Sequence, residues 1–241
     1  MPQDKIWQKP YSFPPDNVFL MQKYVILTLL LTLLTMLVFY VFPQLDLAVA
    51  AAFYTPENGF VGLTAWGRFG RQVGNVTPFL VLAAMIIAYG LKRFGWNVPL
   101  APSFKTVAFV TLTMIAGPLL VVNLGMKDHL HRPRPVQVTQ FGGKWEFKPF
   151  YRFDGECPKN CAFPSGEASE AFWMVAPAMV APPQWRAPAV VGALIFGAAT
   201  SALRMAFGGH FFSDVIIAGL ITLLLIFGIY RWIFGTQARK P

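Results

Sequence analysis

The segment 204–214 combines residue types and a spacing that suit chemistry on an anion. It reads RMAFGGHFFSD and places Arg204, His210 and Asp214 at fixed offsets between two apolar runs. If a helix begins near His210, Asp214 lies one turn further along the same face and its carboxylate can reach the imidazole. A carboxylate hydrogen-bonded to one imidazole nitrogen fixes the tautomer and makes the other nitrogen a better base or nucleophile. A capped helix start with a solvated histidine has the same pattern, so the rest of the chain must decide.

A second group of candidate residues lies in the basic segment 127–135, which reads KDHLHRPRP. Lysine and arginine are the side chains that proteins use to bind phosphate, and Lys127 and Arg134 are spaced seven apart here. The prolines on either side of Arg134 end a helix and stiffen the loop that carries its guanidinium. His129 and His131 add two imidazoles to the same loop. The segment therefore predicts an anion site, although basic loops are also common beside membranes.

The segment 163–167, which reads FPSGE, is a third candidate. Proline at a helix start followed by Ser165 and Gly166 exposes backbone N–H groups, and the partial positive charge of a helix N-terminus suits phosphate. The small side chains let an anion approach. An ordinary N-cap with Glu167 in the first turn produces the same sequence.

The composition predicts the elements that position these residues. Of the 241 residues, 55% are hydrophobic and only 13% are charged, which is typical of a membrane protein. A spanning helix needs roughly 20 apolar residues. We therefore predict a single all-α domain over 1–241, a bundle of six membrane-spanning helices. The predicted spans are about 24–42, 76–91, 106–124, 165–182, 187–203 and 215–234.

The distribution of charge predicts the orientation of these spans. Six spans place both termini on one side, and basic residues are denser in the segments that this arrangement puts inside. Of the eleven acidic residues, only Asp4 and Asp16 fall there. We therefore expect cytoplasmic termini and a site that faces outward. The net charge of +9 fits an anionic lipid or substrate, and no basic run resembles a nucleic-acid-binding arm.

Two outer segments remain. Residues 43–75 are too mixed to span and predict an amphipathic segment at the outer interface, where Arg68 and Arg71 meet headgroups or snorkel. The outer loop at about 136–163 is long enough to form a small cap. It contains Cys157 and Cys161, which close a short disulfide loop in an oxidising compartment or otherwise remain free thiols. Two thiols alone do not make a metal site.

The predicted topology brings the three motifs to one membrane level. K-x6-R-P begins at Lys127, P-S-G ends at Gly166 and R-x5-H-x3-D ends at Asp214. In this order and in a six-span context, the chain resembles the type 2 phosphatidic acid phosphatase superfamily of integral membrane lipid phosphatases. The resemblance covers roughly 70–214.

The resemblance implies a role for each matched residue. His210 would attack phosphorus and form a phosphohistidine that water hydrolyses, and Asp214 would orient and charge-stabilise the imidazole. The phosphate oxygens would be bound by Lys127, Arg134, Ser165, Gly166 and Arg204. Preorganised donors of this kind supply most of the catalysis of phosphoryl transfer. Neither a metal nor another cofactor is expected.

One position departs from the family. The superfamily normally reads P-S-G-H, whose histidine is the general acid for the leaving oxygen, whereas this chain has Glu167. Either desolvation keeps Glu167 protonated, or His129 or His131 supplies the acid, or the leaving group needs less help. An impaired relative would carry the same change. Similar glutamate variants among bacterial envelope phosphatases that resemble lipid A phosphatases favour an active enzyme.

The sequence therefore predicts a lipid phosphatase that acts from the periplasmic side of a bacterial inner membrane. Lipid A is the favoured substrate, and undecaprenyl diphosphate, phosphatidylglycerophosphate and phosphatidate are alternatives. A lipid phosphotransferase would use the same residues, with a second lipid in place of water. A transporter would place its charges near the membrane midplane, whereas the charges here cluster at one face.

Overall fold

The computed structural model describes residues 16–127 and 129–235, and this part of the chain is almost entirely helical. Its α-helices are α1 Asp16–Val41, α2 Gln44–Ala51, α3 Ala65–Arg93, α4 Phe104–Met114, α5 Gly166–Trp173, α6 Val175–Met179, α7 Pro183–Ala206 and α8 Phe212–Gly235. A π-helical segment, Ile115–Met126, continues α4. Two short strands, β1 Tyr54–Thr55 and β2 Gly59–Phe60, form an antiparallel hairpin. The all-α prediction is confirmed.

Within the described residues, five helices are long and apolar enough to cross a membrane: Leu20–Val41, Ala65–Arg93, Phe104–Met126, Pro183–Ala206 and Phe212–Gly235. The sixth predicted span, 165–182, instead forms α5 and α6, which are separated at Met174. The count of six spans stays a prediction. The predicted cytoplasmic placement of the termini depends partly on residues 1–15 and 236–241, which lie outside the described residues.

Helix α5 lies at the centre of the bundle, in contact with α3, α7, α8 and the π-helical segment. Its Phe172 ring fills a space between two glycines, since a Cβ on either Gly197 or Gly219 would come within 2.6 Å of that ring. Trp173 is fully buried and donates its indole N–H to the Val110 carbonyl at 3.1 Å. These contacts fix the depth of α5, and therefore the position of its N-terminus.

Helix α3 begins at Ala65 rather than near residue 76, where the apolar run begins. Thr64 caps it by accepting a hydrogen bond from the Gly67 N–H at 3.0 Å. The segment 43–75 is therefore not one interfacial element but α2, the hairpin and the first turns of α3. A side chain at Gly70 or Gly74 would come within 3.2 Å of α7, so the glycines let α3 pack closely against α7.

The predicted cap, 136–163, contains two short 3-10 turns, Pro135–Gln137 and Thr139–Phe141. Phe141 packs against the hairpin, with its ring centroid 5.5 Å from that of Phe60. The Val136 N–H donates to the Gly208 carbonyl at 3.1 Å. The cap is thereby attached to the turn that joins α7 to α8.

Candidate active site

The predicted site residues lie where elements begin or end. Lys127 follows the π-helical segment, Ser165 caps α5, Arg204 lies in the last turn of α7 and His210 precedes α8. Burial lowers the pKa of His210 well below its usual range. Nearby cations add to that lowering of the pKa, namely Arg204, Arg134 and Lys127. The structure therefore brings three separated motifs around one imidazole.

His210 is only 1% exposed, and its Nδ1 lies 2.6 Å from the carbonyl oxygen of Ala162. A carbonyl oxygen only accepts hydrogen bonds, so Nδ1 must carry the ring proton. The other nitrogen, Nε2, then keeps its lone pair. Because the pKa is lowered, the imidazole is neutral at physiological pH. These two properties are what a nitrogen nucleophile requires.

Asp214 does not make the hydrogen bond to the imidazole that a helical spacing suggests. Its Oδ2 lies 3.8 Å from Nδ1 of His210 and instead accepts from the Phe211 N–H at 2.7 Å. The reason is that α8 begins at Phe212, so His210 lies outside the helix and the four-residue spacing does not align the two side chains. The orienting acceptor for His210 is a backbone carbonyl.

Asp214 belongs to a buried ion-pair network. Its Oδ1 accepts from the Arg132 guanidinium, which also donates to Asp46 at 2.7 Å and to the Ser213 hydroxyl at 2.8 Å. Ser213 in turn donates its N–H and hydroxyl to Asp46 at 2.8 and 2.7 Å. Arg132 is completely buried, but the carboxylates of Asp214 and Asp46 outweigh that burial and raise its pKa. The network ties α2, the basic segment and α8 together.

Asp46 and Arg132 are not among the defining residues of the three sequence motifs. A signal was present, because a carboxylate in an apolar helix such as α2 needs a partner. The partner could not be identified, since Arg132 lies 86 residues away along the chain and is one of several cations in its segment.

Glu167 makes ion pairs with two arginines. Its Oε1 lies 2.7 Å from the Arg71 guanidinium, and its Oε2 lies 3.2 Å from Nε of Arg204. The interfacial interpretation was therefore wrong for Arg71, which contacts the site, whereas Arg68 is exposed and contacts the Leu63 carbonyl of its own turn. The wrong start for α3 caused the error, because it left Arg71 outside any helix.

The cap loop positions Arg134. Cys157 and Cys161 are bonded to each other. Within the loop that they close, the Asn160 carbonyl accepts from Nε and a terminal nitrogen of Arg134 at 3.0 and 2.7 Å. The carbonyl of Cys157 lies 3.0 Å from Nδ1 of His131. Burial lowers the pKa of Arg134. The pKa of Lys127 is also lowered, mainly by burial and then by the positive charge of Arg134.

Ser165 is fully buried and acts as the N-cap of α5. Its hydroxyl accepts from the Ala168 N–H at 3.3 Å, and its own N–H donates to the Asp214 carbonyl at 3.1 Å. At Gly166 a Cβ would lie 2.5 Å from Asn123 Oδ1, so a larger residue there would force the Asn123 side chain to move. His129 is exposed, and its neighbour Asp128 lies outside the described residues.

The chain is similar to several known proteins. The family model of the PAP2 superfamily matches residues 106–238. A lipid A 4'-phosphatase of Francisella tularensis subsp. novicida (strain U112) is 31% identical over 88% of this chain and 96% of its own length. Lipid A 4'-phosphatases of Rhizobium leguminosarum and Rhizobium etli are 36% and 38% identical over 53% of this chain, and over 55% and 49% of their own lengths.

No solved structure matches the chain significantly. The family match covers more than half of the chain, and it includes the basic segment, the P-S-G motif and the segment from Arg204 to Asp214. The Francisella relative extends the similarity over nearly all of it. The chain therefore belongs to the PAP2 superfamily.

Proposed function

We propose that this chain removes a phosphate from lipid A, and that the 4'-phosphate is its target. Its family and its relatives identify a phosphatase that acts on a lipid. The observation that supports this choice of substrate is the similarity to the Francisella lipid A 4'-phosphatase over 88% of the chain.

The proposed chemistry depends on the neutral imidazole of His210. Its Nε2 forms a bond to phosphorus while the bond from phosphorus to the leaving sugar oxygen breaks, and that oxygen takes a proton from water or from one of the candidate acids, Glu167, His129 or His131. Water then attacks the phosphohistidine, and inorganic phosphate and free imidazole result. The contact of 2.6 Å between Nδ1 and the Ala162 carbonyl supports this role, because it leaves the attacking lone pair on Nε2.

Cations support the charge that spreads over the phosphoryl oxygens. Lys127, Arg134 and Arg204 all act electrostatically on His210, so an anion bound beside the imidazole lies near all of them. We propose that Asp214 contributes its charge at 3.8 Å rather than through a hydrogen bond. The reaction is proposed to need no metal; among residues 16–127 and 129–235, no group of three or more His, Cys, Asp or Glu side chains is placed to hold one.

The site is proposed to face the periplasm of a bacterial inner membrane. All of its residues lie at one end of the bundle, and the basic residues of the opposite segments support cytoplasmic termini. Lipid A exposed on the outer leaflet of that membrane would then reach the site directly.

A phosphate-release assay on the purified protein tests the proposal. Lipid A with both phosphates, undecaprenyl diphosphate, phosphatidylglycerophosphate and phosphatidate are supplied separately, with EDTA and without any acceptor lipid. We expect release of inorganic phosphate from the 4' position of lipid A and none from a His210→Ala variant. Release from another lipid alone would replace the substrate, and transfer that requires a second lipid would indicate a phosphotransferase. Activity in His210→Ala would contradict the mechanism.

A further inference from the structure

We propose that Arg71 and Glu167 form a positioning pair for Arg204, in which Glu167 acts as an ionised carboxylate and not as the proton donor. The inference rests on the proposed function, since it assigns roles within the same phosphate site. It adds one residue, Arg71, that lies outside the three motifs and outside the matched residues 106–238. It also explains what a glutamate does where the superfamily has a histidine.

The contacts of the carboxylate favour its ionised form. Nε of Arg71 lies 3.2 Å from both oxygens of Glu167, and a terminal nitrogen lies 2.7 Å from Oε1. Nε of Arg204 lies 3.2 Å from Oε2. A guanidinium has only donors, so a carboxyl O–H on either oxygen would face a second donor instead of an acceptor. Both oxygens of Glu167 are thus occupied in a way that a general acid cannot use.

The backbone places Arg71 at the site. Gly70 and Gly74 lie beside it on α3, and a Cβ on either would come within 3.2 Å of side chains on α7. This close packing sets Arg71 beside the end of α7. The guanidinium carbons of Arg71 and Arg204 then lie 5.9 and 6.0 Å from the ring centroid of Phe207. The two arginines thus share an aromatic neighbour as well as a carboxylate.

Burial explains why Arg204 needs a positioning partner. Its side chain is only 3% exposed and lies against the backbone of the turn, since a Cβ at Gly209 would be 2.4 Å from its terminal nitrogen. A buried guanidinium beside other cations is costly without a counter-charge. Glu167 supplies that charge on the Nε side of Arg204. The terminal nitrogens of Arg204 are then left to bind the phosphate next to His210.

Arg71 determines how strongly Glu167 holds Arg204. With Arg71 present, the carboxylate divides its interaction between two guanidinium groups. Without Arg71, the full charge of Glu167 falls on Arg204 and competes with the phosphate of the substrate. The side chain of Arg71 is 42% exposed, so it can change position when an anion enters. The structure therefore predicts that the effects of changing Arg71 and Glu167 are coupled.

Steady-state phosphate release tests this coupling. We expect Arg71→Ala to lower kcat/KM about tenfold or more, mainly by raising KM, because Glu167 then opposes substrate binding. Adding Glu167→Gln to that variant removes the opposing charge, so the double variant recovers part of the loss. The matched control is Arg68→Ala, an exposed arginine one turn earlier on α3, which should keep wild-type kinetics. Equal kinetics for the Arg71 and Arg68 variants, or additive losses in the double variant, would overturn the proposal.

The pH profile of the single variant Glu167→Gln separates positioning from acid catalysis. A general acid must be protonated, so its loss lowers kcat and removes the alkaline limb of the profile. For a positioning carboxylate we expect that limb to persist and KM to change instead. Loss of the limb at unchanged KM would show that Glu167 is the acid. If the limb persists, His129 and His131 remain the sequence candidates for proton transfer.

Two further measurements guard against trivial explanations. Arg71→Lys keeps the positive charge but lacks the planar guanidinium. We expect its kcat/KM to lie between those of Arg71→Ala and the wild type, which would show that the loss in Arg71→Ala does not come from unfolding. Isothermal titration calorimetry with inorganic phosphate measures the affinity of the site for phosphate in the absence of turnover. We expect weaker phosphate binding in Arg71→Ala than in Arg68→Ala even if no lipid tested is a substrate. A failed substrate assignment is thereby distinguished from a failed positioning pair, which would leave phosphate affinity unchanged.

Discussion

Two arginine–carboxylate clusters lie near His210, and they differ in their access to solvent. The buried cluster consists of Asp46, Arg132, Ser213 and Asp214, whose side chains are at most 1% exposed. The pocket cluster consists of Arg71, Glu167 and Arg204, in which the side chains of Arg71 and Glu167 are 42% and 16% exposed. The same pairing chemistry therefore occurs in two environments within one site.

The difference in burial indicates a structural role for the buried cluster and a ligand-binding role for the pocket cluster. In the buried cluster Arg132 donates to two carboxylates, a hydroxyl and the Lys148 carbonyl, and its side chain is fully buried, so it is not accessible to an incoming anion. In the pocket cluster a single carboxylate is shared by two arginines. We propose that a phosphate replaces that carboxylate as a partner, whereas the buried cluster offers no exposed side chain. We infer that the first holds the turn before α8 in place and the second binds substrate.

Breaking the buried cluster should have the largest effect. Arg132→Met leaves the carboxylates of Asp46 and Asp214 buried without their cation, and we expect a loss of about 3–5 kcal/mol in stability together with loss of activity. Thermal unfolding in detergent measures the change. Arg152→Met is the matched control, because Arg152 pairs with Asp154 on the exposed cap at 2.8 Å and should unfold close to the wild-type temperature. Unchanged unfolding of Arg132→Met would contradict the distinction.

Removing Arg134, a site cation that is not paired with Glu167, should have an intermediate effect. Arg134 is held by the Asn160 carbonyl, and we expect Arg134→Ala to lower kcat/KM about 100-fold, the loss typical of a transition-state donor. The variant also removes a charge that disfavours the imidazolium form of His210, so the pKa of His210 rises.

The sign of this pH effect is testable. The proposed nucleophile, His210, must be neutral to attack, so the acid limb of kcat/KM is expected to follow its pKa and to lie below the usual pH range of histidine in the wild type. In Arg134→Ala that limb should move to higher pH. Lys144→Ala, which removes an exposed cap cation, should leave it in place. An unmoved limb in Arg134→Ala would mean that Arg134 lies too far from His210 to matter.

Opening the disulfide loop should have the smallest effect. Cys157→Ser with Cys161→Ser keeps the sequence around Asn160 but frees the loop whose carbonyl holds Arg134. We expect kcat/KM to fall about tenfold, with a loss of about 2 kcal/mol or less in stability, since the closed loop is short. Dithiothreitol should reproduce the effect in the wild type and add nothing in the double variant. A wild-type kcat/KM in the double variant would show that the loop does not position Arg134.

The sequence predicted the residues around His210 because their motifs coincide with the ends of helices. Apolar runs define where the predicted spans end, and the alternation of six predicted spans places Lys127, Ser165 and Arg204 at one face, an arrangement that stays a prediction. The π-helical segment and the break in the predicted span 165–182 were not predicted, because packing around Phe172 and Trp173 determines them. Periodicity carries no information about such contacts.

The partners of the site residues could not be predicted for a related reason. Arg71 contacts Glu167 across 96 residues of chain, through a close approach of α3 and α7 that small residues permit. The acceptor for His210 is the carbonyl of Ala162, and any residue type offers a carbonyl. Side-chain identity predicts chemistry, whereas backbone contacts of this kind leave no signature in the sequence.

The disulfide loop has a consequence for the order of events in the life of the protein. Cys157 and Cys161 form the bond that closes the loop in an oxidising compartment, and until then the loop that holds the Asn160 carbonyl beside Arg134 stays open. With the cap on the periplasmic side, as proposed, oxidation follows export. Maturation would then coincide with arrival at the leaflet that presents the substrate.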